Sequence, residues 1–181
     1  MHAFLKPAFL APLVLAVGFA LPAMAQPKPV KPAPAPAAGA PKSIGKFDDW
    51  QAATHSEAGQ TVCYAFTRAQ SSAPVLPGRG EVVLTVTQRQ TLRDAVAITA
   101  GFAYAANAAV SVQADKVTLD FYTAQRSAFA RDGHATVLAF QKAAKAIAHS
   151  PGPRNAPVID SFSLRGFSAA YAAIAKACPA K

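Results

Sequence analysis

The sequence predicts a mainly β protein of about seven or eight short antiparallel strands with two short helices, the last at the C-terminus. Apolar and polar residues alternate in short runs, most clearly over 116–122. Turn-forming residues separate such runs about every ten residues. After Gly166 the period changes, and Phe167, Tyr171 and Ile174 form one helical stripe. Strands of this length and spacing indicate an immunoglobulin-like β-sandwich.

Residues 1–25 have the features of a secretory signal peptide. Lys6 precedes an apolar stretch, and Ala23-Met24-Ala25 supplies a small-residue cleavage site. Cleavage between Ala25 and Gln26 would release a mature protein exported to the periplasm, the cell surface or the extracellular medium. The apolar stretch is short and interrupted by prolines, so the sequence predicts no permanent transmembrane helix.

Residues 26–42 are almost entirely Pro, Ala and Lys, a composition that favours a polyproline II linker and cannot build a core. This linker is either a tether or a tolerated disordered extension, and the folded domain is predicted over 43–181. Four lysines precede the domain, which leaves +5 of the chain's net charge of +9 for it. A basic domain favours anionic partners, but its basic residues are scattered and predict no nucleic-acid binding.

Short strands are predicted throughout the domain, followed by two helical patterns. The domain opens with 44–54, in which a turn precedes the first predicted strand. The further predicted strands are 61–67, 81–89, 94–102, 109–113, 116–122, 127–130 and 158–164. A helix is predicted from 134 to about 142, and 144–149 fits either its continuation or another strand. The side chains expected to anchor the core are Phe47, Trp50, Tyr64, Phe129, Phe162, Leu164, Phe167 and Tyr171.

The chain has two cysteines, Cys63 in an early strand and Cys178 on the stripe of the last helix. Two distant cysteines in an exported chain indicate a disulfide bond. Because the closed loop would be longer than about a hundred residues, the chain-entropy model gives roughly 4–5 kcal/mol of stabilisation. The alternative is a pair of buried free thiols.

No catalytic or metal-binding pattern is present in the sequence. The histidines His55, His134 and His149 are isolated, and neither cysteine has the spacing of a zinc or thiol-redox site. The adjacent carboxylates Asp48 and Asp49 are more typical of a turn than of an acid–base pair. We therefore expect no cofactor and no enzyme activity. The alternative is a hydrolase whose triad forms only in the folded chain.

Residues 160–167 read Asp-Ser-Phe-Ser-Leu-Arg-Gly-Phe and are followed by an alanine-rich helix and a terminal cysteine. Together with Phe47, Asp49 and Trp50 and with Cys63-Tyr64-Ala65, they resemble the invasion-associated locus B family of bacterial envelope proteins. The resemblance covers roughly 44–178. Asp48 stands where the family commonly has glycine, so the turn before Trp50 is expected to differ. The resemblance also favours a strand over 145–149.

The resemblance implies an exported envelope protein, with family members linked to invasion of or association with host cells. We therefore expect a non-catalytic binding module. Its partner would be an unknown protein or an anionic component of the envelope or the host surface, and its charge is compatible with peripheral membrane contact. The alternative is a periplasmic structural or envelope-maintenance protein with no host role.

Overall fold

The computed structural model describes residues 40–180, which form one antiparallel sheet of eleven strands and two α-helices. The strands are β1 (Lys42–Phe47), β2 (Trp50–Glu57), β3 (Gln60–Arg68), β4 (Ser71–Ala73), β5 (Val83–Gln88), β6 (Ala95–Thr99), β7 (Ala109–Ala114), β8 (Val117–Ala124), β9 (Ser127–Ala130), β10 (Lys145–Pro151) and β11 (Pro157–Ser163). The helices are α1 (Gly133–Phe140) and α2 (Phe167–Ala177), and a 3₁₀ turn spans Pro153–Asn155. The predicted signal peptide, its cleavage site and most of the predicted linker lie outside the described residues.

The strands follow one another across the sheet in the order β1-β2-β3-β5-β6-β9-β8-β7-β10-β11-β4. The main hydrophobic core contains side chains from nine of these strands and from both helices, and a smaller cluster consists of Ala100, Phe102 and Val158. Because residues near both ends of the sheet meet in this core, the sheet curls around it, as the natural twist of a long sheet permits. The mainly β class and the two helices are confirmed. The number of strands and the division into two sandwiched sheets differ from the prediction.

Two strands have little signal in the sequence. β1 starts at Lys42, the last residue of the predicted linker, and a two-residue turn at Asp48 and Asp49 separates it from β2. Asp48 has a φ of 48°, the left-handed region in which glycine is favoured and aspartate is tolerated. β4 lies inside the predicted Ser/Pro/Gly-rich loop and pairs with β11 through its backbone, without an apolar alternation to mark it.

The α1 helix is short, and a strand follows it. The Asp132 side chain accepts a hydrogen bond from the backbone N–H of Ala135 at 2.9 Å, which caps the helix. The helix ends at Phe140, and residues 145–149 lie in β10, where alternate residues are buried. The choice of a strand over a longer helix is therefore confirmed.

Most of the predicted core anchors are buried or pack against the core. Trp50, Phe162, Leu164 and Phe167 are buried, and Phe47 and Tyr171 are partly buried against them. The indole ring of Trp50 lies 4.9 Å from the ring of Phe167, and the ring of Phe140 lies 5.6 Å from it.

Tyr64 and Phe129 are not core residues, contrary to the prediction. Both are half-buried on the outward face of the sheet, and their inward neighbours are small: Cys63 and Ala65 in β3 and Ala128 in β9. The rings of Trp50, Phe140 and Phe167 already fill the space inside the curled sheet. Small side chains are therefore sufficient on the inward faces of β3 and β9, and the larger rings lie outside.

Cys63 and Cys178 form a disulfide bond, as predicted, with a Cα–Cα distance of 5.9 Å across a sequence separation of 115 residues. No described cysteine is free. The bond joins the end of α2 to β3. A guanidinium nitrogen of Arg93 donates to the carbonyl oxygen of Cys178 at 2.7 Å and holds the same end of the helix.

The start of α2 is held against the β1–β2 turn. The Trp50 indole N–H donates to the carbonyl oxygen of Ser163 at 3.0 Å, and the backbone N–H of Asp49 points to the carbonyl oxygen of Arg165. Gly166 has a φ of 87°, and a Cβ atom at this position would collide with the backbone carbonyl of Phe47. Glycine is therefore required by both its backbone angle and its space.

We expect Gly166→Ala to destabilise the fold by about 3 kcal/mol or more, because alanine adds left-handed strain and a backbone collision. Gly59→Ala is the matched control, since Gly59 has a φ of 80° but no atom within 4 Å of the place that an alanine methyl group would occupy. The control should cost only about 1 kcal/mol. Urea denaturation of the oxidised proteins measures both changes. Equal losses in the two variants would show that the contact with Phe47 is not close.

Candidate functional site

Two clusters of polar side chains are built around buried aspartates, and the first is centred on Asp94. Its carboxylate accepts hydrogen bonds from the Gln88 amide at 2.6 Å and the Tyr171 hydroxyl at 2.7 Å. It also lies 3.0 Å from Nδ1 of His134, which contradicts the expectation that this histidine is isolated. The cluster joins the loop before β6 to the first turn of α1 and to α2.

The hydrogen bonds of this cluster determine the charge of Asp94. Burial alone would raise the pKa of Asp94, but the hydrogen bonds from Gln88, Tyr171 and His134 hold the pKa below its ordinary value. Burial and the neighbouring carboxylate raise the pKa of Tyr171 to about 12. At neutral pH the cluster therefore contains a charged Asp94 and a neutral Tyr171.

A hydrolytic triad contains an aspartate that orients a histidine, but it also needs a nucleophile hydrogen-bonded to that histidine. Among the hydrogen bonds of residues 40–180, none joins His134 to a serine, threonine or cysteine side chain. Asp94 binds groups from three separate elements and fixes their relative positions. We therefore interpret this cluster as a structural connection between the two helices and the sheet.

The second cluster is a buried ion pair between Arg79 and Asp160. Two guanidinium nitrogens donate to the two carboxylate oxygens at 2.8 and 2.7 Å, and the side chains are only 6% and 1% exposed. The Ser72 hydroxyl adds a bond to Asp160 at 2.6 Å, and Nε of Arg79 donates to the carbonyl of Ala100. With its donors and acceptors satisfied, the pair fastens the long loop before β5 to β11.

A cleft of about 520 Å³ opens where the β1–β2 turn meets the β11–α2 turn. We call it the seam cleft, and its lining residues are Asp49, Gln70, Ala143, Ala144, Ser163, Leu164 and Arg165. Arg165 reaches across it to Asp49 through a single contact of 3.2 Å, with 71% of the arginine side chain exposed. The Ser163 hydroxyl, and then Arg165, hold the pKa of Asp49 below its ordinary value.

The outward side of the sheet carries two pairs of aromatic rings with small residues between them. Tyr64 and Phe66 stack in β3 at 6.0 Å, and Tyr122 and Phe129 stack across β8 and β9 at 5.5 Å. We call this surface the outer aromatic face; its floor between the ring pairs consists of Thr85, Thr87, Ala95 and Ala97. These aromatic residues are visible in the sequence. Their position on one face follows from the pairing of the strands, which the alternation of apolar and polar residues does not reveal.

Register places the two ring pairs in one row. Phe66 is paired with Thr85, Thr85 with Ala97, and Ala97 with Phe129. Three strand spacings separate Phe66 from Phe129, which corresponds to about 14 Å. The guanidinium of Arg68 lies 5.8 Å from the Phe66 ring, and that of Arg131 lies 5.8 Å from the Tyr122 ring.

The described residues provide no obvious metal site or membrane-spanning helix. Within 40–180, no three His, Cys, Asp or Glu side chains are close enough to hold a metal ion. In the same part of the chain, no helix has the length and apolar character needed to cross a membrane.

The family model described as "Invasion associated locus B (IalB) protein" matches residues 50–175. The chain belongs to the invasion-associated locus B family. The matched range begins at Trp50, directly after the β1–β2 turn, and contains the outer aromatic face and most of α2. No curated protein is detectably similar to the sequence.

A solved structure of the same family is similar in fold. It is the crystal structure of invasion associated protein B from Bartonella henselae, with a TM-score of 0.56 and 16% sequence identity. The alignment covers 75% of this chain and 96% of that chain. At this identity the similarity shows that the two chains share a fold, and the described domain therefore has the architecture of an invasion-associated locus B protein.

We expect Asp94→Asn to destabilise the protein at neutral pH and to have little effect in strong acid. The folded-state pKa of Asp94 lies below its unfolded value, so its contribution is complete above the unfolded pKa and is lost as pH falls through the folded pKa. Asparagine tolerates the φ of 52° at this position, so the change removes the carboxylate charge without adding backbone strain.

Urea denaturation across the acid range measures this dependence, with Asp120→Asn on the exposed side of β8 as the control. The difference between wild type and Asp94→Asn should shrink as the pH falls. A difference that stays constant with pH would mean that the carboxylate charge does not contribute.

Proposed function

We propose that this protein is an exported, non-catalytic binding module of the bacterial cell envelope, and that its outer aromatic face contacts the partner. The partner is a macromolecule of the host or envelope surface, with apolar groups that pack on the rings and anionic groups that reach Arg68 and Arg131. The observation that carries the proposal is the single row that contains Phe66, Phe129 and Tyr122 on the outside of the sheet.

Export is supported by the disulfide and by the sequence before the domain. A disulfide between Cys63 and Cys178 persists in the oxidising compartments outside the cytoplasm. The signal-peptide pattern over 1–25 and the linker over 26–42 agree with such a location. Membership of the invasion-associated locus B family agrees with it as well.

A binding role without catalysis is supported by the way in which the buried charges are used. Asp94 accepts hydrogen bonds from three side chains, and Asp160 accepts hydrogen bonds from two guanidinium nitrogens of Arg79. These groups connect elements of the fold. The rings of the outer aromatic face, by contrast, do not belong to the main core. Large apolar side chains on an outward surface are a feature of interaction surfaces.

We expect Tyr122→Ser and Phe66→Ser each to weaken binding to the partner surface by about tenfold or more, since aromatic residues dominate interface energetics. Binding of labelled protein is measured on animal-cell membranes and, separately, on bacterial outer membranes. Retention on the first favours a host partner, and retention on the second favours the envelope-maintenance role.

Val117→Ser is the matched control. Val117 and Tyr122 both lie in β8 and are 48% and 45% exposed, but Val117 lies outside the outer aromatic face. The control should bind as wild type does, and circular dichroism checks that each variant is folded. The proposal is wrong if neither membrane retains the wild-type protein, or if the three variants bind equally well.

A further inference from the structure

Residues 40–180 contain two arginine–aspartate pairs, and they differ in burial and in the number of hydrogen bonds. Arg79 donates hydrogen bonds to Asp160 from two guanidinium nitrogens, and both side chains are almost completely buried. Arg165 touches Asp49 through one nitrogen at 3.2 Å, with side chains that are 71% and 29% exposed. An exposed pair with one long contact contributes little to stability, so another carboxylate can replace Asp49.

The surroundings of Arg165 are suited to a ligand. The seam cleft beside it measures about 520 Å³, within the range of small-molecule sites. Its lining combines polar groups, the Gln70 amide and the Ser163 hydroxyl, with the apolar side chains of Ala143, Ala144 and Leu164. This combination suits a ligand that has a carboxylate, several hydroxyl groups and an apolar ring face.

The polar surface continues beyond the seam cleft. A second cleft of about 260 Å³ shares Asp49 and Gln70 with the first and is also lined by Lys46 and Arg68. Exposed Lys142 and Lys145 flank the alanines of the cleft wall. Asp48 also lines the second cleft, and Arg68 is paired with Glu81 at 2.9 Å. Lys46, Lys142 and Lys145 still add positive charge on more than one side of Arg165, which favours an anionic ligand.

We propose that the seam cleft binds a carboxylate-bearing sugar, with Arg165 as the anchor and Asp49 as an internal competitor for the same guanidinium. In the free protein the Asp49 carboxylate accepts a hydrogen bond from the Arg165 guanidinium. A ligand carboxylate displaces it by forming two parallel hydrogen bonds with the guanidinium fork, which the single contact with Asp49 does not use. The released Asp49 carboxylate retains the Ser163 hydroxyl beside it.

This site is separate from the outer aromatic face and has a different chemistry. The seam cleft is formed by turns and by the end of β11, whereas the outer aromatic face is formed by the middle of β3, β5, β6, β9 and β8. Arg68 borders both surfaces and is left unchanged in every variant, so variants of the rings and variants of the seam cleft test the two proposals separately.

Isothermal titration calorimetry tests the site with three probes: sialyllactose, the deacylated inner core of lipopolysaccharide, and neutral lactose. The first carries a host-type acidic sugar and the second an envelope-type one, so the tighter ligand identifies the source. We expect binding of at least one acidic probe and none of lactose. Arg165→Gln should weaken that binding by about tenfold or more, and Arg165→Lys should recover only part of it, because lysine keeps the charge without the fork.

Asp49→Asn provides the sharpest test, because the proposal predicts that removing the competitor strengthens binding several-fold. Lys116→Gln, in the β7–β8 turn outside the cleft, removes the same charge as Arg165→Gln and should leave affinity unchanged. Thermal denaturation verifies that the variants are folded. The proposal fails if neither acidic probe binds, if lactose binds as tightly, if Asp49→Asn does not strengthen binding, or if Lys116→Gln weakens it as much as Arg165→Gln.

Discussion

The hydrogen bond from the Trp50 indole to the carbonyl oxygen of Ser163 connects residues that are 113 positions apart, and the rest of the structure depends on it. It joins the second strand of the sheet to the end of the next-to-last one, so that the long sheet closes over its core. Phe167 packs on the same indole, and Gly166 lets the following helix start directly against the β1–β2 turn. The disulfide then fixes the far end of that helix.

This closure explains why both functional candidates lie where they do. The core inside the curled sheet is filled by Trp50, Phe140 and Phe167, so the remaining aromatic rings of β3, β8 and β9 lie outside and form the outer aromatic face. The two turns that meet at Trp50 leave the seam cleft between them, with Arg165 and Asp49 on its walls. The curled sheet thus presents an aromatic surface on its outside and a charged cleft between its turns.

Much of this fold is encoded locally and could be predicted. Alternation identified most strands, the change of period at Gly166 identified α2, and the two cysteines identified their bridge. Strand pairing could not be predicted, because alternation shows which residues share a face but not which strands are neighbours. For this reason Tyr64 and Phe129 were assigned to the core, and the pairing of His134 with Asp94, 40 positions away, was missed. β4 pairs with β11 through its backbone and through the bond from the Ser72 hydroxyl to Asp160, but its residues show no apolar alternation.

The most direct test of the closure uses the chain's single tryptophan, whose indole N–H gives one signal in a nitrogen–proton NMR spectrum. Hydrogen exchange of that proton in deuterated buffer reports how often the contact with Ser163 opens. We predict exchange as slow as that of the most protected amides in β3 and β5, because Trp50 is fully buried and the contact should open only on global unfolding. Rapid exchange of the indole proton, while those amides remain protected, would contradict the account.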